Sequence, residues 1–171
     1  MTRVKGRAAL LVGTHWGPKR RLSVGFISGS AAVRQLVADM AVAWCETGAD
    51  LSFDFWIDPD VDPGPADIRV SFVQDGSSWS VLGTTARQIA RDEPTMNFGW
   101  LTEELAEDKA RSVILHEFGH ALGLIHEHQN PHVPVAWDVD AVVRDLSGPP
   151  NNWDLATIET NMFARDVAPP S

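Results

Sequence analysis

His116, Glu117, His120 and His126 are the residues of this chain whose types and spacing point to chemistry. In HEFGHALGLIH the first two histidines stand four apart in a helical pattern. Their imidazoles therefore project from one face, one turn above the other, and can reach a single metal ion. Glu117 lies one residue along the same rim, where its carboxylate can touch a metal-bound water without being a ligand. Gly123 ends the helix in a left-handed conformation and turns His126 back toward the same point. Three neutral imidazoles with one open position are the donor set of a catalytic zinc site. Five specified residues agree in HExxHxxGxxH, a coincidence expected about once in ten thousand chains of this size or less often, so zinc ligation is the reading adopted. His15, His128 and His132 lack a partner at ligand spacing and stay outside the site.

The elements that must position these residues are legible as alternating and helical runs. Leu22, Val24 and Phe26 alternate with small residues as in a half-buried strand over 21–27. Val33, Leu36, Val37, Met40, Ala41 and Trp44 then line one face of a helix that Ser30 caps and Gly48 ends. Leu51, Phe53 and Phe55 predict a second strand, and Ile68, Val70 and Phe72 a third. Strand, helix, strand with short connections predicts a right-handed crossover and a parallel pair. Residues 73–94 read as a long connection, helical in part around Ala86 to Arg91, and Thr95 to Trp100 as one more strand. Glu103 to Asp108 reads as an acidic helix start, and two short helices are expected near 138–146 and 154–164. DPDVDPGPAD has Pro63 and Arg69 where a calcium loop needs glycine and glutamate, so it reads as an acidic turn.

Composition bounds the rest. The chain has 171 residues, enough for one sizeable core, and a net charge of −9, which argues against nucleic acid or anionic membrane as partners. Its single cysteine, Cys45, excludes an intrachain disulfide and a cysteine-based zinc site, which leaves histidine and carboxylate as ligands. No membrane span and no signal peptide are expected, because the apolar run Ala8 to Val12 is short and basic residues follow it.

The helix HEFGHALGLIHEHQNP resembles the metzincin clan of zinc endopeptidases, and Glu127 after the third histidine resembles the astacin branch. ADIRVSF, GSSWSVLGTTAR, PTMNFGWL and GPPNNW are similar to segments of astacin-like and matrixin-like microbial proteases, so the resemblance spans about 16 to 165. It implies an α+β, zincin-like fold: a twisted, mostly parallel sheet with an antiparallel edge strand, a backing helix and an active-site helix. It implies one Zn2+ held by His116, His120 and His126, with Glu117 as general base toward the zinc-bound water in an endopeptidase. It also implies that Thr95 to Trp100 is the edge strand that pairs with an extended peptide substrate. One catalytic domain is expected, with a subdomain over about 16–127 and a small, incomplete one over about 128–171. A monomer is expected, and secretion is implied by the resemblance alone.

Two features depart from that pattern. Tyrosine is absent from the chain, so no phenol can steady an oxyanion at the metal. Met162, the one methionine after His126, falls in a helical pattern rather than in the tight turn that gives the clan its name. A C-terminally shortened catalytic domain with reduced activity is the expectation that follows. The alternative is a zinc-binding pseudoprotease or interaction module lacking the Met-turn.

Overall fold

The computed structural model describes residues 9–10, 13–18, 20–48, 50–104, 107–126, 136–148 and 152–163. Its strands are β1 (Ala9–Leu10), β2 (Arg20–Phe26), β3 (Leu51–Trp56), β4 (Ile68–Ser71), β5 (Ser78–Ser80), β6 (Met96–Phe98) and β7 (Leu124–Ile125). Its helices are α1 (Ala31–Ala41), α2 (Glu107–Ala121), α3 (Val139–Ser147) and α4 (Leu155–Ile158). Two compact units result, Gly13–Leu124 and Met1–Val12 with Ile125–Ser171.

In the first unit five strands form one sheet in the order β3-β2-β4-β6-β5. The pairs β2·β3, β2·β4 and β4·β6 are parallel, and β5 runs antiparallel to β6. The parallel pair predicted from strand, helix, strand order is present: β2 leads through α1 to its parallel neighbour β3. Ser30 caps α1 by accepting from the Val33 amide, and Gly48 closes the 3-10 turn Val42–Thr47 that follows, at φ +81°. Val33, Val37, Met40 and Ala41 of α1 and Ile114 and Phe118 of α2 are buried in one core with Leu22, Val24, Ile68, Val70, Met96 and Phe98. Phe118 meets Phe53 edge to face at 5.3 Å, which seats α2 on β3. The Trp44 indole N–H donates to the Leu115 carbonyl at 3.0 Å.

The structure corrects the edge strand. Thr95 to Trp100 does not form it: the strand there is Met96–Phe98, paired on both sides, and the antiparallel edge is Ser78–Ser80, inside the segment read as a connection. The cause is local. Ser77-Ser78-Trp79-Ser80 is three-quarters serine and shows no apolar alternation, whereas Met96, Asn97 and Phe98 are all buried, as an inner strand must be. Asn97, only 1% exposed, holds the two strands in place. Its Oδ1 accepts from the Ser71 hydroxyl (2.8 Å) and the Val73 amide (2.9 Å), and its Nδ2 donates to the Val73 and Ser77 carbonyls, each at 3.1 Å. This amide side chain thus ties the loop into β5 to β6, beside the backbone bonds from Gly76 to the Gly99 carbonyl and from Gly99 to the Ser77 carbonyl. Asn97→Ala should cost about 2–4 kcal/mol, because several buried polar groups lose their partner at once, and urea unfolding would measure it.

Other boundaries shift modestly. Helix α2 begins at Glu107 rather than Glu103, and the helical stretch near Ala86 is a 3-10 segment, Gly83–Gln88. Trp44 lies in the 3-10 turn after α1. Asp58 and Asp62 each accept from the backbone amide two residues on, the hydrogen bonding of an acidic turn. In the second unit Asp138 caps α3 and Asp154 caps α4. Ile158 is fully buried, and Trp137 meets Phe163 edge to face at 6.3 Å. Met162 sits in the π-helical turn Glu159–Phe163, not in a tight turn. Glu127, His128, His132, Lys19 and most of the Ala8–Val12 run lie outside the described residues. No helix among the described residues is long and apolar enough to cross a membrane.

Candidate metal centre

Helix α2 carries Glu107 and Asp108 in its first turn, where the positive end of the helix favours them, and His116, Glu117 and His120 in its second half. His116 and His120 are four residues apart and their Nε2 atoms lie 3.1 Å from one another, the rings edge to face. Two imidazoles on one tetrahedral zinc, each about 2.0–2.1 Å from the ion, would hold their nitrogens about 3.3 Å apart. The observed pair is close to that spacing without adjustment of the backbone.

The helix stops as the glycine requires. Leu122 donates to the Phe118 carbonyl and Gly123 to that of His120, and Gly123 then adopts φ +99°. An added Cβ there would lie 3.1 Å from Thr14 Oγ1 and be strained by the backbone angle as well. After β7 the chain reaches His126. One ligand atom from each of His116, His120 and His126 falls within 4.8 Å of the others, a group that can hold a metal ion. His15 is exposed and belongs to no such group among the described residues.

Hydrogen bonding and burial prepare these side chains. The Nδ1 of His120 lies 2.7 Å from the Leu124 carbonyl oxygen. Only a protonated Nδ1 can bond a carbonyl, so the Nε2 lone pair is left for a metal. Burial, and secondarily the neighbouring His120, hold the His116 imidazole below its ordinary pKa, which favours the neutral, ligating form. Glu117 is 5% exposed, and burial alone pushes its carboxyl up to about 7. A cation bound beside it would draw that value down by favouring the carboxylate.

Sequence reasoning missed the residues that brace this end of α2. The Trp16 indole N–H donates to the Ala121 carbonyl at 2.7 Å, and the Arg87 guanidinium lies over the Trp16 ring, 5.1 Å from its centroid. The Thr14 carbonyl accepts from the Thr84 amide at 2.8 Å, and a Cβ at Gly83 would fall 1.8 Å from that same oxygen. The segment Thr14–Trp16 therefore presses against both Gly83 and Gly123. No periodicity announces it, since its two anchors bond to backbone groups remote in sequence, the Ala121 carbonyl and the Thr84 amide. The paired glycines were the available signal.

Neither a protein-family model nor a curated protein matches the chain significantly. Solved structures do. A structure described as that of myroilysin superposes with a TM-score of 0.82 at 37% identity, covering 92% of this chain and 73% of the other. A crystal structure of myroilysin gives a TM-score of 0.65 at 36% identity, covering 94% of this chain and 69% of the other. Myroilysin is a metalloprotease of metzincin-like fold, and the mostly parallel sheet and histidine group agree with that architecture. At this identity and coverage the chain belongs to the myroilysin family of metalloproteases.

Proposed function

We propose that the protein is a zinc endopeptidase in which His116, His120 and His126 hold one zinc ion and Glu117 is the general base. The observation that carries this reading is the meeting of three imidazole nitrogens within 4.8 Å beside a nearly buried carboxylic acid one residue from the first of them. An all-nitrogen set of three ligands suits zinc and leaves a position open, as catalysis rather than structure requires. Zinc in that set supplies Lewis acidity, lowering the pKa of a bound water toward about 7 and polarising the scissile carbonyl. Glu117 takes the proton of the attacking water and passes it to the departing amine nitrogen. Its burial shields that exchange from bulk water, and a cation held beside it would favour the carboxylate, the form that accepts the proton. The Leu124 carbonyl fixes the His120 ring and its tautomer throughout.

The substrate would bind as an extended peptide along β5. Gly99 donates to the Ser77 carbonyl and Val81 to that of Thr95, so residues 77, 79 and 81 turn their backbone groups toward β6. By antiparallel alternation the N–H and C=O groups of Ser78 and Ser80 face the open edge and are free to pair with another strand. Backbone pairing of this kind asks little of substrate side chains.

Digestion of a mixed peptide library by the full chain tests the reading. Cleavage is expected with one zinc per chain, loss of cleavage after chelation, and recovery on adding zinc back. A chain that holds one zinc and cleaves nothing would instead be a zinc-binding module without peptidase activity.

A further inference from the structure

Lys109, Ser112, Val113 and His116 stand at i, i+3, i+4 and i+7 on α2, so they form one stripe along the helix. With Trp100 they line a groove of about 290 Å³ that starts at the candidate metal ligand His116 and runs toward the N-terminal end of α2. Its walls are apolar: the Trp100 ring, 38% exposed, and the half-buried Val113. Its far end carries the Lys109 ammonium. Among the described residues ion pairs join Arg21 to Asp54 and Arg144 to Asp145, and none engages Lys109. Glu107 and Asp108, two positions and one position before Lys109, are not among the residues that line the groove.

We infer that this groove selects, at a position flanking the scissile bond, a substrate side chain with an apolar stem and a terminal carboxylate, glutamate above all, with Lys109 as the residue that sets the preference. The inference rests on the peptidase reading for the word substrate, and on the groove alone for the chemistry. Lys109 and His116 are seven positions apart on the helix, about 10 Å along the axis. A side chain lying along Trp100 and Val113 thus needs methylenes before its charge, and glutamate has one more than aspartate. Contact with the ring and the valine favours those methylenes, and the ammonium then distinguishes glutamate from its neutral isostere glutamine.

The test compares peptides that carry Glu, Gln or Lys at each position flanking one scissile bond, using the full zinc-loaded chain. Glu should exceed Gln in kcat/KM by about three- to fivefold at low ionic strength at one such position, and the ratio should shrink in high salt, as expected of a solvent-exposed pair. K109M should bring that ratio to one, and K109E should reverse the order in favour of Lys. W100A should weaken all three peptides alike. Lys109 is exposed on the helix surface, so these variants are expected to fold. Binding of the same peptides, labelled, to zinc-loaded Glu117→Gln protein is read in parallel by fluorescence anisotropy. Equal values for Glu and Gln in both assays, or a ratio unmoved by K109E, would overturn the inference. Glu-over-Gln binding that K109E reverses, with no turnover by the wild type, would uphold the groove and sink the peptidase reading instead.

Discussion

Glu117→Gln should lower kcat for peptide cleavage by about 10²- to 10⁴-fold while zinc content remains at one ion per chain. The substitution keeps the volume and the hydrogen-bonding reach of a side chain that is 5% exposed, so neither packing nor the three imidazoles should change. What is lost is the ability to accept a proton. A second readout separates this role from a structural one. In the metal-free protein burial raises the Glu117 pKa from the ordinary 4.5 to about 7, so the native state binds that proton more tightly than the unfolded chain. Its contribution to stability is fully present below about pH 4.5 and is lost as pH rises through about 7. Glutamine has nothing to ionise. Metal-free E117Q should therefore be more stable than metal-free wild type at pH 8, by about 1–3 kcal/mol, and nearly equal to it at pH 4. A variant inactive through misfolding would show the opposite order in urea unfolding at pH 8. A variant that cleaves peptides at the wild-type rate would remove Glu117 from the mechanism.

How far the sequence led can be judged from particular residues. Strand β2, helix α1 and strand β3 were legible because apolar residues recur at period two, then at three and four, then again at two, with Ser30 and Gly48 marking the helix ends. The grouping of His116, His120 and His126 was legible for a related reason: a helix fixes the first pair, and a glycine at φ +99° turns the chain toward the third. Strand β5 was not. A three-residue edge strand of Ser-Trp-Ser has no pattern of its own and exists through backbone pairing with β6 and through Asn97, which bonds to the loop before it. Tertiary contacts define that strand, and a contact between residues 77 and 97 leaves no mark in a local window. The brace at Thr14 and Trp16 escaped notice for the same reason: its hydrogen bonds end at Thr84 and Ala121. The residues of Thr95–Trp100 signal a strand, and the resemblance implies that it is the edge. The burial of Met96, Asn97 and Phe98, which marks an inner strand, is visible only once both neighbours are in place.

His120→Ala is expected to reduce zinc affinity by well over about 100-fold and to abolish zinc-dependent cleavage with it. That figure is a floor, because loss of an outer hydrogen-bonding partner alone costs about 10- to 100-fold in comparable sites, and in the proposed site His120 is itself a ligand. The central position of this side chain makes the loss larger than that of a peripheral contact. His120 joins the ligand set to the turn after α2 through its 2.7 Å contact with the Leu124 carbonyl, and its other nitrogen lies 3.1 Å from that of His116. Alanine leaves the carbonyl without that partner and leaves His116 and His126 as two ligands with nothing between them. The fold should suffer less. His120 is half-buried, and the core beneath it is made by Ile114 and Phe118, which the substitution does not touch. In the metal-free state the variant should thus unfold within about 1–2 kcal/mol of wild type, whereas added zinc should raise the stability of wild type alone, by an amount that grows with the logarithm of free zinc. Titration of both proteins with zinc, followed by urea unfolding at each concentration, measures the two effects separately. Equal stabilisation of variant and wild type by zinc would mean that the ion binds elsewhere and that the histidine group is not its site.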